Sequence, residues 1–328
     1  MMGVYFMIMF SIIMPAYNSG RFIDKSIESV LRQTYQDFEL IVINDGSKDN
    51  TQNVVESYIN TDKRIKLINI ENNGVSNARN IGIKNSVGEY ISFLDSDDFY
   101  DSVFLEKMYH CIKKYPKNDF FYAFSYHVDT DGKAKKASRN IIEGKWDAFL
   151  SHGVDLRIPF HISAIMIKKQ LIDEYDIKFD TDVSISEDIG FYMKVLTVSP
   201  AKCVDEHLSY YNMRDDSVMH KEFETIKWQG GVDNHQSVFL YVEKYWPSMK
   251  GTFLSMWGYR AYKFIWLLIK SGNIEKATYF IDKYSDVISV YKKNAIKISD
   301  SIKCGLLLSK NSLFIKLLIC LYGRKDCE

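Results

Sequence analysis

The chain has 328 residues, and its 42 Lys and Arg are balanced by 42 Asp and Glu, so the formal net charge is zero. That balance excludes a global basic field of the kind that draws nucleic acid, and an anionic ligand has to be met by local chemistry. The length suits one large domain plus an accessory region, and 22 Tyr and 20 Phe against only 5 Pro exclude a disordered chain.

The five cysteines, Cys111, Cys203, Cys304, Cys320 and Cys327, are odd in number and widely scattered, which fits reduced thiols in a cytoplasmic protein. Met1 to Phe10 is apolar but lacks a basic n-region and a small-residue cleavage site, so its second half reads as a first strand. No run of about 20 residues is both apolar and uncharged, so no transmembrane helix is expected.

The first hundred residues alternate strand and helix. Phe10 to Met14 reads as a strand, and Pro15-Ala-Tyr-Asn-Ser-Gly20 as the loop that leaves it. Phe22, Ile23, Ile27, Val30 and Leu31 recur at helical spacing. Phe38 to Ile43 is the next strand, ending in Asn44-Asp-Gly-Ser47, and a helix over Asp49 to Ile59, a strand over Ile65 to Ile70 and a helix over Val75 to Lys84 follow. Tyr90 to Leu94 is a short buried strand that ends in Asp95, Asp97 and Asp98, before a helix from about Ser102. Strands separated by helices predict a mainly parallel sheet covered on both faces, with ligands beyond the carboxyl ends of the strands.

From about Asp119 the pattern shifts. Phe120 to Val128, Ile162 to Ile167 and Leu208 to Asn212 read as strands, and a helix starts at Ser186 with Glu187 and Asp188 in its first turn. After roughly Lys221 only helical patterns remain, over Glu222 to Trp246, Phe253 to Ile269, Ile274 to Tyr284 and Ser301 to Leu321. This predicts a first domain over 1–220, with halves of about 10–100 and 119–220, and a helical region over 221–328.

Three carboxylates at the end of a buried strand repel one another and lose solvation, so they call for a cation or hydrogen-bond donors. A hard divalent cation such as Mn2+ or Mg2+ suits oxygen ligands of this kind. No Gly-x-Gly-x-x-Gly follows the first strand and no phosphate loop occurs, which removes most support from dehydrogenase and P-loop readings. In their place stand Pro15-Ala-Tyr-Asn18, Asn44-Asp-Gly-Ser47, Asn73-Gly74 with Ala78-Arg-Asn-x-Gly82, Asp95-Ser-Asp-Asp98 and Glu187-Asp188, in that order. Over about residues 10 to 220 this set resembles glycosyltransferase family 2, the inverting nucleotide-sugar-dependent enzymes of GT-A fold.

The resemblance implies a role for each position. Asp45 accepts from the uracil edge of the nucleotide, as a carboxylate can from an imide N–H, and the loop at Pro15 to Tyr17 packs on the base. Tyr17 serves equally well as a core aromatic. Arg79 faces uracil or phosphate, or else forms a surface ion pair. Gly74 and Gly82 serve backbone geometry and close packing. Asp95 faces the ribose or the metal, Asp97 ligates the metal, and Asp98 ligates or caps the following helix. Asp188 is the base that takes the proton from the acceptor hydroxyl, with Glu187 beside it, although acidic residues in a first helical turn also complement the helix dipole. Arg214 meets the diphosphate, and His220 meets it or acts as a third metal ligand, or else the segment Arg214 to His220 is a surface loop.

The expected activity is therefore transfer of one sugar from a UDP-sugar to a saccharide hydroxyl. The resemblance favours a lipid-linked acceptor in surface polysaccharide assembly. The alternatives are a sugar-nucleotide pyrophosphorylase and a non-catalytic sugar-nucleotide-binding protein. The lysine-interrupted apolar stripes of the helical tail suit an anionic membrane surface, which would place the protein on the inner face of the plasma membrane. They suit equally packing on the catalytic domain or on a second subunit of a homo-oligomer.

Overall fold

The computed structural model describes residues 8–183, 186–213, 232–295 and 297–309. Their contacts divide the chain into two compact units. The first draws on Met1–Ala148, Ile158–Ser184 and Val198–Ser217, and the second on Phe149–Arg157, Ile185–Thr197 and Val218–Glu328. The division is thus not one cut near residue 220, because two stretches from within 1–220 fold with the tail.

In the first unit the strands β1 (Phe10–Ala16), β2 (Phe38–Asp45), β3 (Ile65–Ile70) and β4 (Tyr90–Phe93) are parallel, in the order β3-β2-β1-β4. They alternate with α1 (Ile23–Leu31), α2 (Thr51–Ile59) and α3 (Val75–Asn85). Residues of β1 and β2 are buried on both faces, so these strands read as continuous apolar runs. Phe10, Ile12, Met14, Leu40 and Val42 point to one face and pack with Ile23, Ile27 and Val30 of α1 and Val55 of α2. Ile41 and Ile43 point to the other and meet Ala78 of α3. Gly82 lets α3 settle on β1, since a Cβ there would lie 2.2 Å from Ile13 Cγ2.

The strand β1 continues through Pro15 and Ala16, which pair with Ile43 and Asn44 where the sequence predicts a loop. Its pairing with β4 ends at Ile13, so Pro15, which has no N–H, lies beyond that ladder. After β5 (Phe99–Tyr100) the helix α4 spans Phe104–Lys114. Beyond it come β6 (Phe120–Val128), β7 (Ala134–Lys136) and, later in the chain, β10 (Ile165–Lys168), α5 (Lys169–Glu174) and β11 (Ala201–Asn212). The strand β10 enters the sheet antiparallel to both β4 and β6, and the order continues β6-β11-β5. The predicted strand over Ile162 to Ile167 divides into a 3-10 turn, Ile162–Ala164, followed by β10.

The second unit contains the short hairpin β8 (Leu150–Ser151) and β9 (Asp155–Leu156), then α6 (Glu187–Val198), whose last residue falls in the first unit. It continues with α7 (His235–Tyr245), α8 (Lys250–Lys270), α9 (Ile274–Lys283), α10 (Ser285–Asn294) and α11 (Ile298–Leu308). The core forms around α8, where Phe264, Ile265, Leu268 and Ile269 pack with Phe280 and Ile281 of α9 and Ile288 and Tyr291 of α10. Among the described residues no helix is long and apolar enough to cross a membrane.

Candidate functional site

The carboxyl ends of β1, β2 and β4 are adjacent because the strands are parallel, and hydrogen bonds knit the loops that leave them. The Asn18 N–H donates to Ser47 Oγ at 3.0 Å, and the Lys48 N–H donates to Asn18 Oδ1 at 2.8 Å. Ser19 ties to Thr51 through its N–H at 2.8 Å, and its Oγ lies 2.7 Å from Ser96 Oγ on the β4 loop. Ser26 of α1 donates to the Ser96 carbonyl at 2.9 Å. Three segments distant in sequence are thereby fixed to one another.

Pro15 is buried within β1, whereas Tyr17 is 52% exposed on the loop beyond, which excludes a core role for it. Asp45 closes β2 and is 4% exposed. Its two carboxylate oxygens accept the N–H groups of Asn73 and Gly74, each at 2.9 Å. Those donors stand at the start of α3, where Gly74 has φ +85 and no side chain to cap the helix. Asp45 therefore caps α3 from a neighbouring strand, satisfying donors that a helix N-terminus leaves open. Each oxygen keeps a further lone pair for a ligand donor.

Arg79, on the next turn of α3, is 3% exposed and donates through Nη2 to Asp95 Oδ1 at 2.8 Å. Its guanidinium lies 5.3 Å from the Phe179 ring. The pair is buried on the arginine side, so it is not the surface ion pair weighed above. Burial pushes the Asp95 carboxyl up, but the Arg79 guanidinium, then His161, outweigh it and hold the carboxyl below its usual range.

Asp98 is buried more deeply still, at 1% exposure. It accepts from the Ser163 hydroxyl at 2.7 Å and from the Asn212 N–H at 3.0 Å, and its Oδ2 lies 3.4 Å from His161 Nδ1. Burial, then the charges of Asp95 and Asp97, raise its carboxyl well above the usual range, and the two hydrogen bonds counter this only in part. It does not cap the following helix, since α4 begins at Phe104 after Val103. His161 lies just before the 3-10 turn, and its Nδ1 accepts from the Ser163 N–H at 3.3 Å. Burial lowers the imidazole to about 4; Asp95 acts against that, while Arg79 and His127 add to it. The ring is therefore neutral near pH 7, and its one lone pair, on Nδ1, is held by the long Ser163 N–H contact that a metal ion would have to displace.

Asp95, Asp98 and His161 each present a ligand atom within 4.8 Å of the others. Two carboxylate oxygens and one imidazole nitrogen form a donor set that suits Mn2+ and is compatible with Mg2+. A cation would offset the burial, and then the neighbouring carboxylates, that raise the Asp98 carboxyl. Asp97, partly exposed on the same loop, acts on Asp98 through its charge but is not in that group. Arg214 and His220 lie outside the described residues. His161 was not legible as a site residue from sequence, because a lone histidine ahead of a short strand carries no spacing signal. Only the placement of β10 beside β4 brings it to the aspartates.

Glu187 and Asp188 belong to the second unit, at the start of α6, where acidic side chains complement the helix dipole. Both are partly exposed. Asp188 Oδ1 accepts the Ile189 N–H at 2.8 Å, and the Tyr192 hydroxyl donates to Oδ2 at 3.5 Å.

A family model described as glycosyl transferase family 2 matches residues 11–176. The uncharacterized glycosyltransferase EpsJ of Bacillus subtilis is 30% identical over 233 residues, 69% of this chain and 65% of that protein. The poly(ribitol-phosphate) beta-N-acetylglucosaminyltransferase TarP of Staphylococcus aureus is 35% identical over 211 residues, 63% of each. The chain thus spans slightly under two thirds of these relatives. Among solved structures, S. aureus TarS 1–349 in complex with UDP-GlcNAc superposes with a TM-score of 0.72 at 19% identity, covering 96% of this chain and 89% of that one. The mannosyltransferase PcManGT of Pyrobaculum calidifontis, in complex with GDP-Man and Mn2+, gives 0.55 at 13% identity, covering 97% and 88%. The mixed sheet with flanking helices and a helical C-terminal region is the expected GT-A architecture.

Proposed function

The chain belongs to glycosyl transferase family 2, and from that premise we propose that it transfers a single sugar, with inversion, from a UDP-sugar to a saccharide hydroxyl. The observation that carries the proposal is the convergence of Asp45, Arg79, Asp95, Asp98 and His161 around the carboxyl ends of parallel strands, where such sheets take ligands. TarS binds UDP-GlcNAc by the description of its structure, and TarP is named as an N-acetylglucosaminyltransferase, so N-acetylhexosamine donors lead the candidates.

In this reading Tyr17 offers an exposed ring beside Pro15 for the base to stack on, and Asp45 accepts the uracil N–H with a lone pair left free by α3. Arg79 fixes the Asp95 carboxylate, which faces the ribose. Asp95, Asp98 and His161, with Asp97 on the same loop, would hold Mn2+ or Mg2+, and the cation supplies charge neutralisation for the departing diphosphate. His220 is a further ligand, and Arg214 a diphosphate contact, that the family resemblance suggests. Asp188 takes the proton from the acceptor hydroxyl as that oxygen attacks the anomeric carbon, and Glu187 orients the acceptor.

A lipid-linked acceptor in surface polysaccharide assembly, and a place on the cytoplasmic face of the membrane, extend the same proposal. The family resemblance is what supports it, because the apolar stripe of α8 (Phe264, Ile265, Leu268 and Ile269) is packed into the core of the second unit and is not available to a membrane surface; a homo-oligomer is the competing proposal. The test is UDP release from UDP-glucose, UDP-galactose, UDP-N-acetylglucosamine and UDP-N-acetylgalactosamine, repeated with Asp188→Asn. We expect turnover of one donor, reduced roughly 100- to 10,000-fold in the variant with UDP binding retained. Turnover of none of the four by the wild type contradicts the donor class, and a fully active variant contradicts the base.

A further inference from the structure

The first turn of α6 starts from a strained residue. Ser186 has φ +59, a left-handed conformation that a residue with a Cβ enters at a cost and that clusters at functional sites. It immediately precedes Glu187 and Asp188, so its backbone sets the direction in which both leave the helix start. The Ser186 carbonyl accepts two donors, the Ile189 N–H at 3.1 Å and the side-chain amide of Asn234. Asn234 is buried at 1% exposure, just before α7. Its side chain occupies the space that a side chain at position 190 would need, since a Cβ on Gly190 would lie 2.6 Å from Asn234 Oδ1. The missing side chain of Gly190 and the amide of Asn234 are complementary. Together they let a residue 48 positions away reach the one carbonyl that fixes the turn.

We propose that Asn234 is a positioning residue for the acidic pair. Its buried amide holds Ser186 in the left-handed conformation and so fixes the direction of the Asp188 carboxylate. Asn234 carries no titratable group and takes no proton itself. The proposal rests on the reading of Asp188 as the base.

The test replaces the amide donor by an apolar side chain of the same branching, without adding charge, as Asn234→Leu, in the full chain with the donor that the wild type turns over in the four-sugar panel. Expected is a fall in kcat of at least tenfold, with KM for the donor and the UDP titration unchanged, and faster amide exchange at Ile189. Gly190→Ala pushes on the same contact from the other side and gives the same split, and the double variant is no worse than either single one. Wild-type kcat in Asn234→Leu overturns the proposal. So does an equal loss of kcat, UDP affinity and thermal stability, which marks a general structural role. If Asn234→Leu does not fold, Gly190→Ala decides alone, and unchanged kcat there overturns the proposal. Asp188→Asn is run beside them. An inactive Asp188→Asn with a fully active Asn234→Leu refutes the positioning role only, whereas an active Asp188→Asn refutes the base and the positioning role together.

Discussion

The two units differ in how far they rely on buried polar groups. In the first, polar side chains are buried at one end of the sheet and used as ties: Asp45 caps a helix from a strand, Arg79 holds Asp95, and Asp98 collects a hydroxyl and a backbone N–H. In the second, the core around α8 is apolar and aromatic, and His235, 4% exposed, stacks near Phe253 and Trp257 with neither ring nitrogen hydrogen-bonded. Buried polarity that is paired fixes geometry, and buried polarity without a hydrogen bond costs stability. The first unit uses its polar residues for loop placement, which a ligand site needs, while the second relies mainly on packing and ties one turn with the buried Asn234 amide.

The sharpest way to break this contrast is at Asp45. Asp45→Ala removes the acceptor of two partly buried hydrogen bonds, from the Asn73 and Gly74 N–H groups at the start of α3, at about 1.5 kcal/mol each for hydrogen bonds to a charged group, so up to about 3 kcal/mol in denaturant unfolding. Unfolding free energy within 0.5 kcal/mol of wild type would show that the loops hold without this tie. Next in size is Gly82→Ala, which forces a methyl to within 2.2 Å of Ile13 Cγ2. It should cost roughly 1–3 kcal/mol by overpacking, and the same substitution should cost less in an Ile13→Ala background, where the Cγ2 and Cγ1 that the methyl meets are gone. Additive effects of the two substitutions would mean that α3 is not seated on β1 through this contact.

The smallest effect belongs to the second unit and depends on pH. Burial, and then Arg260, lower the His235 imidazole well below its ordinary 6.5. The folded protein then holds His235 neutral while the unfolded chain takes up a proton below about 6.5, so this contribution is intact above that pH and is lost as pH falls through it. The loss is about 1.4 kcal/mol per pH unit for one proton. His235→Phe should flatten the dependence between pH 6.5 and 5 and leave stability at pH 7 nearly unchanged. The same slope in both proteins would contradict a neutral buried ring.

Much of the first unit is legible in sequence because its information is local. The apolar runs Phe38 to Ile43 and Tyr90 to Leu94 mark strands, and Asp45 and Asp95 stand out as charges placed at strand ends. What is not legible is set by distant pairing. Phe99–Tyr100 is too short to show a period, and Pro15 reads as a strand breaker until the end of the β4 ladder makes its missing N–H harmless. His161 joins the aspartates only because β10 runs antiparallel beside β4. The depth of Asp98, with its bonds to Ser163 and Asn212, likewise depends on β11 and the turn before β10. In the second unit Asn234 carries no motif, and its contact with Ser186 depends on a glycine, at position 190, that looks ordinary in a helical pattern.

If the strand ends of the first unit hold a cation-assisted nucleotide site, Mn2+ strengthens UDP binding at least tenfold in the wild type, and most of that gain is lost in Asp95→Ala, which removes one of the three grouped ligand atoms. Calorimetric titration of UDP into both proteins, each with and without Mn2+, reads this directly. Equal UDP affinity in all four titrations overturns the site.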